Sequence, residues 1–251
     1  MAMQLRNARR GWPRKLPMRV RAGEVQRHLG RARERIGDRL LTWLTVLLIV
    51  LTFVIVPLHA SGLIVAEGYG LAIVLVMASY FLGASASVPA VSLMLTGVGL
   101  AIVSYPVRFS GYPQLATYLD AAAWITVGLA LAYVVARAVF SPGRITYHRV
   151  IGAVLLYLTI GNIFVGFYAI AGLLAPQAFS GLSFSDAPTL LVSDLIYFSF
   201  ATLTTVGYGD VLPVHPLARS LSNLEAIVGQ LYPATLLARL VTLELEDRRR
   251  Q

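Results

Sequence analysis

Long apolar runs decide what this chain can become. One extends from Leu40 to Leu58, and others follow almost to the C-terminus. A run of about twenty such residues matches the roughly 30 Å hydrocarbon core of a bilayer. Of 251 residues, 57% are hydrophobic and only 13% charged, too few charges to clothe a soluble surface of that size. The chain therefore reads as an integral membrane protein. Length and punctuation by Pro and Gly place six spans: Leu40 to about Leu58, Leu63–Phe81, Val88–Tyr105, Leu115–Phe140, Val150–Leu174 and Leu217–Leu245. PVRFSGYP, before the fourth, and SPG, after it, read as loops. A further apolar stretch, Thr189–Thr204, is too short to span. Cysteine is absent, which excludes a disulfide framework and thiolate metal sites.

Charge sets the orientation. An even number of spans puts both termini on one side. Residues 1–39 hold 12 of the 21 Lys and Arg, among them Arg9, Arg10, Arg14, Lys15, Arg31, Arg33 and Arg35, opposed only by Glu24, Glu34 and Asp38. With Arg144, Arg149 and Arg248 to Arg250 they make that side cytoplasmic. Val25, Leu29, Ala32, Ile36 and Leu40 form one helical stripe with arginines around it, an amphipathic basic helix suited to the inner membrane surface and to anionic lipid rather than to nucleic acid. The first apolar run has no small-residue cleavage site after it, and residues 1–39 contain no serine. Both facts speak against a secretory or organellar leader and for the plasma or inner membrane. Few residues follow the last span, so a cytoplasmic ligand-binding domain is not expected there.

In this topology the stretch 189–210 enters from outside and returns to the outside. It ends in TLTTVGYGD, Thr202–Asp210. Irregular backbone at membrane depth is tolerated only where it is buried in protein or lines a water-filled path. A monovalent cation leaving water needs new oxygens around it. A backbone that turns successive carbonyls to one axis supplies them, provided some residues take φ > 0, which glycine does cheaply. Thr205, Val206, Gly207, Tyr208 and Gly209 spell the signature of potassium filters. Residues 189–243 resemble the pore domain of the potassium channel superfamily, and IYFSFATLT resembles its pore helix.

The resemblance implies an all-α membrane protein, with six transmembrane helices plus a re-entrant pore helix and selectivity filter, assembled as a homotetramer. Four chains are needed because each carries one loop. It implies K⁺ as the permeating ion, no cofactor and no enzymatic activity. The filter would be Thr204, Thr205, Val206, Gly207, Tyr208, Gly209 and Asp210. K⁺ would be held by the carbonyls of Thr205, Val206, Gly207 and Tyr208 and by the Thr205 hydroxyl. Val206 and Tyr208 would point into supporting packing, Tyr197 and Phe198 would form the cuff, and Asp210 would sit at the outer mouth. An intact Tyr208 favours K⁺ over Na⁺. Some relatives pair the filter aspartate with a pore-helix glutamate, but Ala201 stands at that position here, so inactivation would differ.

The last span contains four further candidates for a hinge or for the cavity wall. Gly229, 21 residues beyond Tyr208, matches the superfamily's hinge glycine, with close helix packing as the other reading. Pro233 removes a backbone hydrogen bond and suits a kink. Glu225 is an ionisable residue within a span. It faces either the cavity or the back of the pore helix, and its position relative to Gly229 favours the second. Gln230 is the better cavity residue.

The chain divides into a basic segment (1–39), a four-helix transmembrane bundle (40–144), a pore domain (145–245) and a short tail (246–251). The fourth span carries one cation, Arg137, where a voltage sensor needs one at every third position. The bundle is therefore expected to lack a voltage sensor and to support the pore. Glu67 and Asp120 are intramembrane acids near the outer side, each in need of a polar partner or water. His59 and His215 fall on the outer side and read as solvated loop residues. Two rival functions remain: a nonselective cation channel, and a nonconducting regulatory subunit built on a channel fold.

Overall fold

A computed structural model describes residues 41–63, 87–140, 147–175, 177–182 and 188–249. The basic segment 1–39, nearly all of the second expected span with Glu67, and Arg144 lie outside them. Among the described residues six helices follow one another: α1 (Leu41–Ala60), α2 (Val88–Phe109), α3 (Pro113–Val139), α4 (Tyr147–Leu174), α5 (Pro188–Leu203) and α6 (Pro216–Arg249). Among the described residues, α1 to α4 are long and apolar enough to cross a membrane. This is a helical membrane protein. The expected span in α6 is a helix of 34 residues but is not apolar enough to stand with those four. Ser220, Ser222, Asn223, Glu225 and Gln230 dilute its apolar residues.

Three prolines act otherwise than their sequence context predicts. Pro57 falls at the expected end of the first span, about Leu58, and α1 runs past it to Ala60. A proline withholds an amide hydrogen and its ring crowds the carbonyl four residues back. The helix accommodates this with a widened π turn over Leu51–Ile55, just upstream. Pro106 likewise sits within α2, which runs on to Phe109, so half of the expected loop is helical. Pro113 opens α3 from its first turn, where no amide donor is needed. Gly111, at φ +85°, makes the tight turn between the two helices. Arg108 pairs with Asp120 across that turn, which gives Asp120 its partner.

The helices pack through small residues. Between α2 and α3 the buried positions include Ala90, Ala101, Ala123 and Ala130. A Cβ on Gly97 would press into Val127 and Thr126. Lipid tails provide no hydrophobic force for helix pairing, so close backbone approach and dispersion take its place. Leu44 and Leu48 of α1 join Val135, Leu155 and Leu156 in a second core. The third surrounds the fully buried Tyr168 of α4, with Phe164, Leu195 and Phe198. It seats α5 against α4. A two-residue antiparallel ladder, β1 (Phe179–Ser180) with β2 (Leu212–Pro213), pairs Phe179 with Pro213 and Ser180 with Leu212. Such short strands carry no periodic signal that a sequence could announce. This one ties the chain before α5 to the chain after TVGYGD.

Candidate functional site

The end of α5 generates the geometry of the signature loop. The Thr205 amide bonds to the Thr202 carbonyl at 2.9 Å, and the Val206 amide to the Ala201 carbonyl at 2.9 Å. This is a Schellman closure, whose left-handed residue is usually glycine. Here it is Thr205, at φ +59°, an outlier for a β-branched residue. The same hand returns at Gly207 (φ +53°) and Gly209 (φ +85°). Left-handed residues thus alternate with Val206 and Tyr208 along the TVGYG string. The Gly207 amide also turns back to Ala201, at 3.1 Å. Among the described residues, no hydrogen bond reaches the carbonyls of residues 205–209, and residues 204–210 are all exposed in the single chain.

Two side chains brace this strip. The rings of Tyr197 and Tyr208 stack, with centroids 5.8 Å apart and planes 13° from parallel. The Tyr197 hydroxyl donates to Asp210 Oδ2 at 2.9 Å, while Asp210 Oδ1 accepts from the Val211 amide at 3.0 Å. Phe198, one residue on, is turned about 100° around the helix. It packs instead on Tyr168, at 4.9 Å, and on Phe179, at 5.3 Å. Behind Asp210 lies Gly181, at φ +86°, so close that a Cβ would overlap the Asp210 carbonyl oxygen.

Beneath the strip, α6 supplies three contacts. Gln230 Nε2 donates to the Thr205 hydroxyl at 2.9 Å. Gly229 lies under the last turn of α5, where a Cβ would overlap the Leu203 carbonyl oxygen. Of the two readings of this glycine, close packing is the one the structure displays. The helix runs unbroken from Pro216 to Arg249 through both Gly229 and Pro233. Glu225 is fully buried, with Oε2 at 2.5 Å from the Tyr168 hydroxyl and Oε1 at 2.5 Å from Ser199 Oγ. It faces the back of α5.

Residues 153–245 match the ion channel family. Over 76 residues the chain is 38% identical to the inward rectifier potassium channel Kirbac3.1 of Paramagnetospirillum magnetotacticum, covering 30% of this chain and 23% of that one. It is 36% identical over 92 residues to two pore potassium channel c of Oryza sativa subsp. japonica, covering 37% and 18% of the two chains. A third relative, protein LctB of Bacillus caldotenax, is 43% identical over 51 residues, which is 20% of this chain and 37% of that one. Residues 153–245 are thus similar to ion channel domains, and two of these relatives are potassium channels by name. The chain spans less than two fifths of the length of each of these relatives. No solved structure matches it.

Several residues that hold the signature loop in place were not singled out from the sequence. Ser199 and Tyr168 are fully buried partners of Glu225. Tyr157 donates to the Leu203 carbonyl at 3.2 Å, and Tyr232 to the Ala153 carbonyl at 2.8 Å. Polar residues recurring within apolar helices were the available signal, because buried polar groups are hydrogen-bonded. Elsewhere, Arg137 of α3 lies 3.3 Å from the hydroxyl of Tyr133 one turn earlier, and His215 Nδ1 accepts from the Leu217 amide at the start of α6.

Proposed function

We propose that this protein is a potassium-selective channel: a homotetramer whose subunits each cross the membrane six times and in which α5 is a re-entrant pore helix. The observation that carries this reading is the alternating hand at Thr205, Gly207 and Gly209, with the carbonyls of the strip free of hydrogen bonds among the described residues. Those oxygens are available to replace the hydration shell of a cation. One chain offers one such strip, so a ring of four is required. Leu224, Ile227 and Leu231, each more than half exposed on α6, provide an apolar face for neighbouring subunits. Stacking on Tyr197 would hold Tyr208 away from the axis and keep the ring from collapsing. Asp210 would gather cations at the outer mouth, and the carbonyl end of α5 would aim partial negative charge at the ion path. Gln230 would line the water-filled cavity below the innermost site.

Residues 40–144 act in this reading as a supporting bundle without a voltage sensor. Both termini are cytoplasmic, and the segment 1–39 meets anionic lipid. The decisive measurement is the reversal potential of the purified protein in planar bilayers, with K⁺ on one side and Na⁺ on the other. A value close to the K⁺ equilibrium potential, with the current lost in Gly207→Asp, is the expected result. Reversal near zero with substantial current would replace this reading by a nonselective pore. Silence in every lipid and at every voltage would favour a nonconducting subunit.

A further inference from the structure

A cavity of about 50 Å³ lies away from the ion path, where α1, α3, α4 and α5 meet. Its origin is local. The π turn over Leu51–Ile55 widens α1 on this side, and Gly128 of α3 forms part of the opposite wall. The lining is almost wholly apolar, with Leu131 of α3 and Ile196 of α5 among its members. Widened turns of this type occur often at functional sites.

Thr52, Thr159 and Asn162 break the pattern, and the last lacks one partner. Asn162 of α4 is 6% exposed. Its amide nitrogen is committed, donating to the Leu158 carbonyl at 2.9 Å and to Thr52 Oγ1 at 3.4 Å. Its main-chain carbonyl is committed too, accepting from Trp124 Nε1 at 2.7 Å. Its side-chain oxygen, Oδ1, is buried and has no partner. Both Thr52 and Trp124 also line the cavity, so the orphan acceptor is held in place by two of the cavity's own walls. A buried acceptor with room beside it calls for a donor.

We propose that this cavity binds a small amphiphile of the short-chain alcohol class, with its hydroxyl donating to Asn162 Oδ1 and its carbon chain against Leu131 and Ile196. Ethers, ketones and alkanes of equal size carry no donor for that oxygen and bind more weakly. The proposal rests on the cavity and not on conduction. Because Ile196 adjoins Tyr197, an occupant would press on α5 beside the residue that stacks on Tyr208.

The test uses the full chain in lipid nanodiscs. Trp12→Phe with Trp43→Phe leaves Trp124, in the cavity wall, as the reporter, since the chain has three tryptophans. Its fluorescence is titrated with 2-bromoethanol and with 1-bromopropane, a quencher of matched size without the donor. Membrane concentrations are corrected for partitioning. The expected result is saturable quenching by 2-bromoethanol, with half-saturation about tenfold lower than for 1-bromopropane, and loss of that preference in Asn162→Leu. Unsaturable quenching by both compounds would overturn the proposal in favour of a buried water on Asn162. So would equal half-saturation for the two quenchers, or a preference that survives Asn162→Leu. If Asn162→Leu does not fold, the comparison of the two quenchers on the parent protein decides alone.

Discussion

At the scale of the residue, Glu225 is the most informative side chain. Ser199 Oγ lies 2.5 Å from its carboxyl and 2.8 Å from the Gly161 carbonyl, and a hydroxyl has a single proton. If Ser199 spends that proton on Gly161, the contact with Glu225 needs another, which a neutral carboxyl supplies while its second oxygen accepts from Tyr168. Glutamine has the same shape, with an amide donor and a carbonyl acceptor in the same places. Glu225→Gln is therefore expected to leave thermal stability within about 1 kcal/mol of the parent. Glu225→Leu takes the acceptor from the buried Tyr168 hydroxyl, while Ser199 keeps Gly161, and should cost about 1–3 kcal/mol. Thermal unfolding of the purified variants in one detergent checks both, and a destabilised Gln variant would mean that the network needs the charged acid. The carboxyl behind α5 thus comes from α6.

At the scale of the element, α5 is a 16-residue helix whose placement depends on what grips its last turn. Tyr157 binds the Leu203 carbonyl from α4, Gly229 lies beneath it on α6, and the Schellman closure fixes the exit of the chain. A methyl group at Gly229 must push the end of α5 aside. Gly229→Ala should lose about 1–3 kcal/mol of stability by overpacking. Gly99 of α2 has open space around it, so Gly99→Ala should be neutral or slightly stabilising through helix propensity. Comparing their melting temperatures separates packing from flexibility. If Gly229→Ala melts with the parent, the glycine serves bending instead.

At the scale of the whole molecule, the arrangement of charge governs the response to voltage. The described part of α3 carries Arg137 alone among cations, beside the hydroxyl of Tyr133. Conventional sensors move about 3–4 charges in each of four subunits. Open probability in bilayers should consequently vary little with voltage, with an effective gating charge well below that figure. A steep voltage dependence would require a sensor outside this bundle. The assembled particle should run in native mass spectrometry as four chains of 27.2 kDa.

The sequence by itself determined that the chain lies in a membrane and where its signature loop stands, because both are local properties. Twenty uncharged apolar residues need nothing else to prefer lipid, and TVGYG needs no distant contact to require left-handed backbone. It also set the limits of α5 to within a residue. What depended on neighbours was not legible in it. Pro57 and Pro106 stay within helices because a π turn and the surrounding packing absorb them. Phe198 leaves the loop for Tyr168 because its direction depends on which face of α5 meets α4. The two-residue ladder that pins Asp210, the partners of Glu225 and the cavity at Asn162 join residues far apart in the chain, and only the tertiary structure brings them within hydrogen-bonding distance or van der Waals contact.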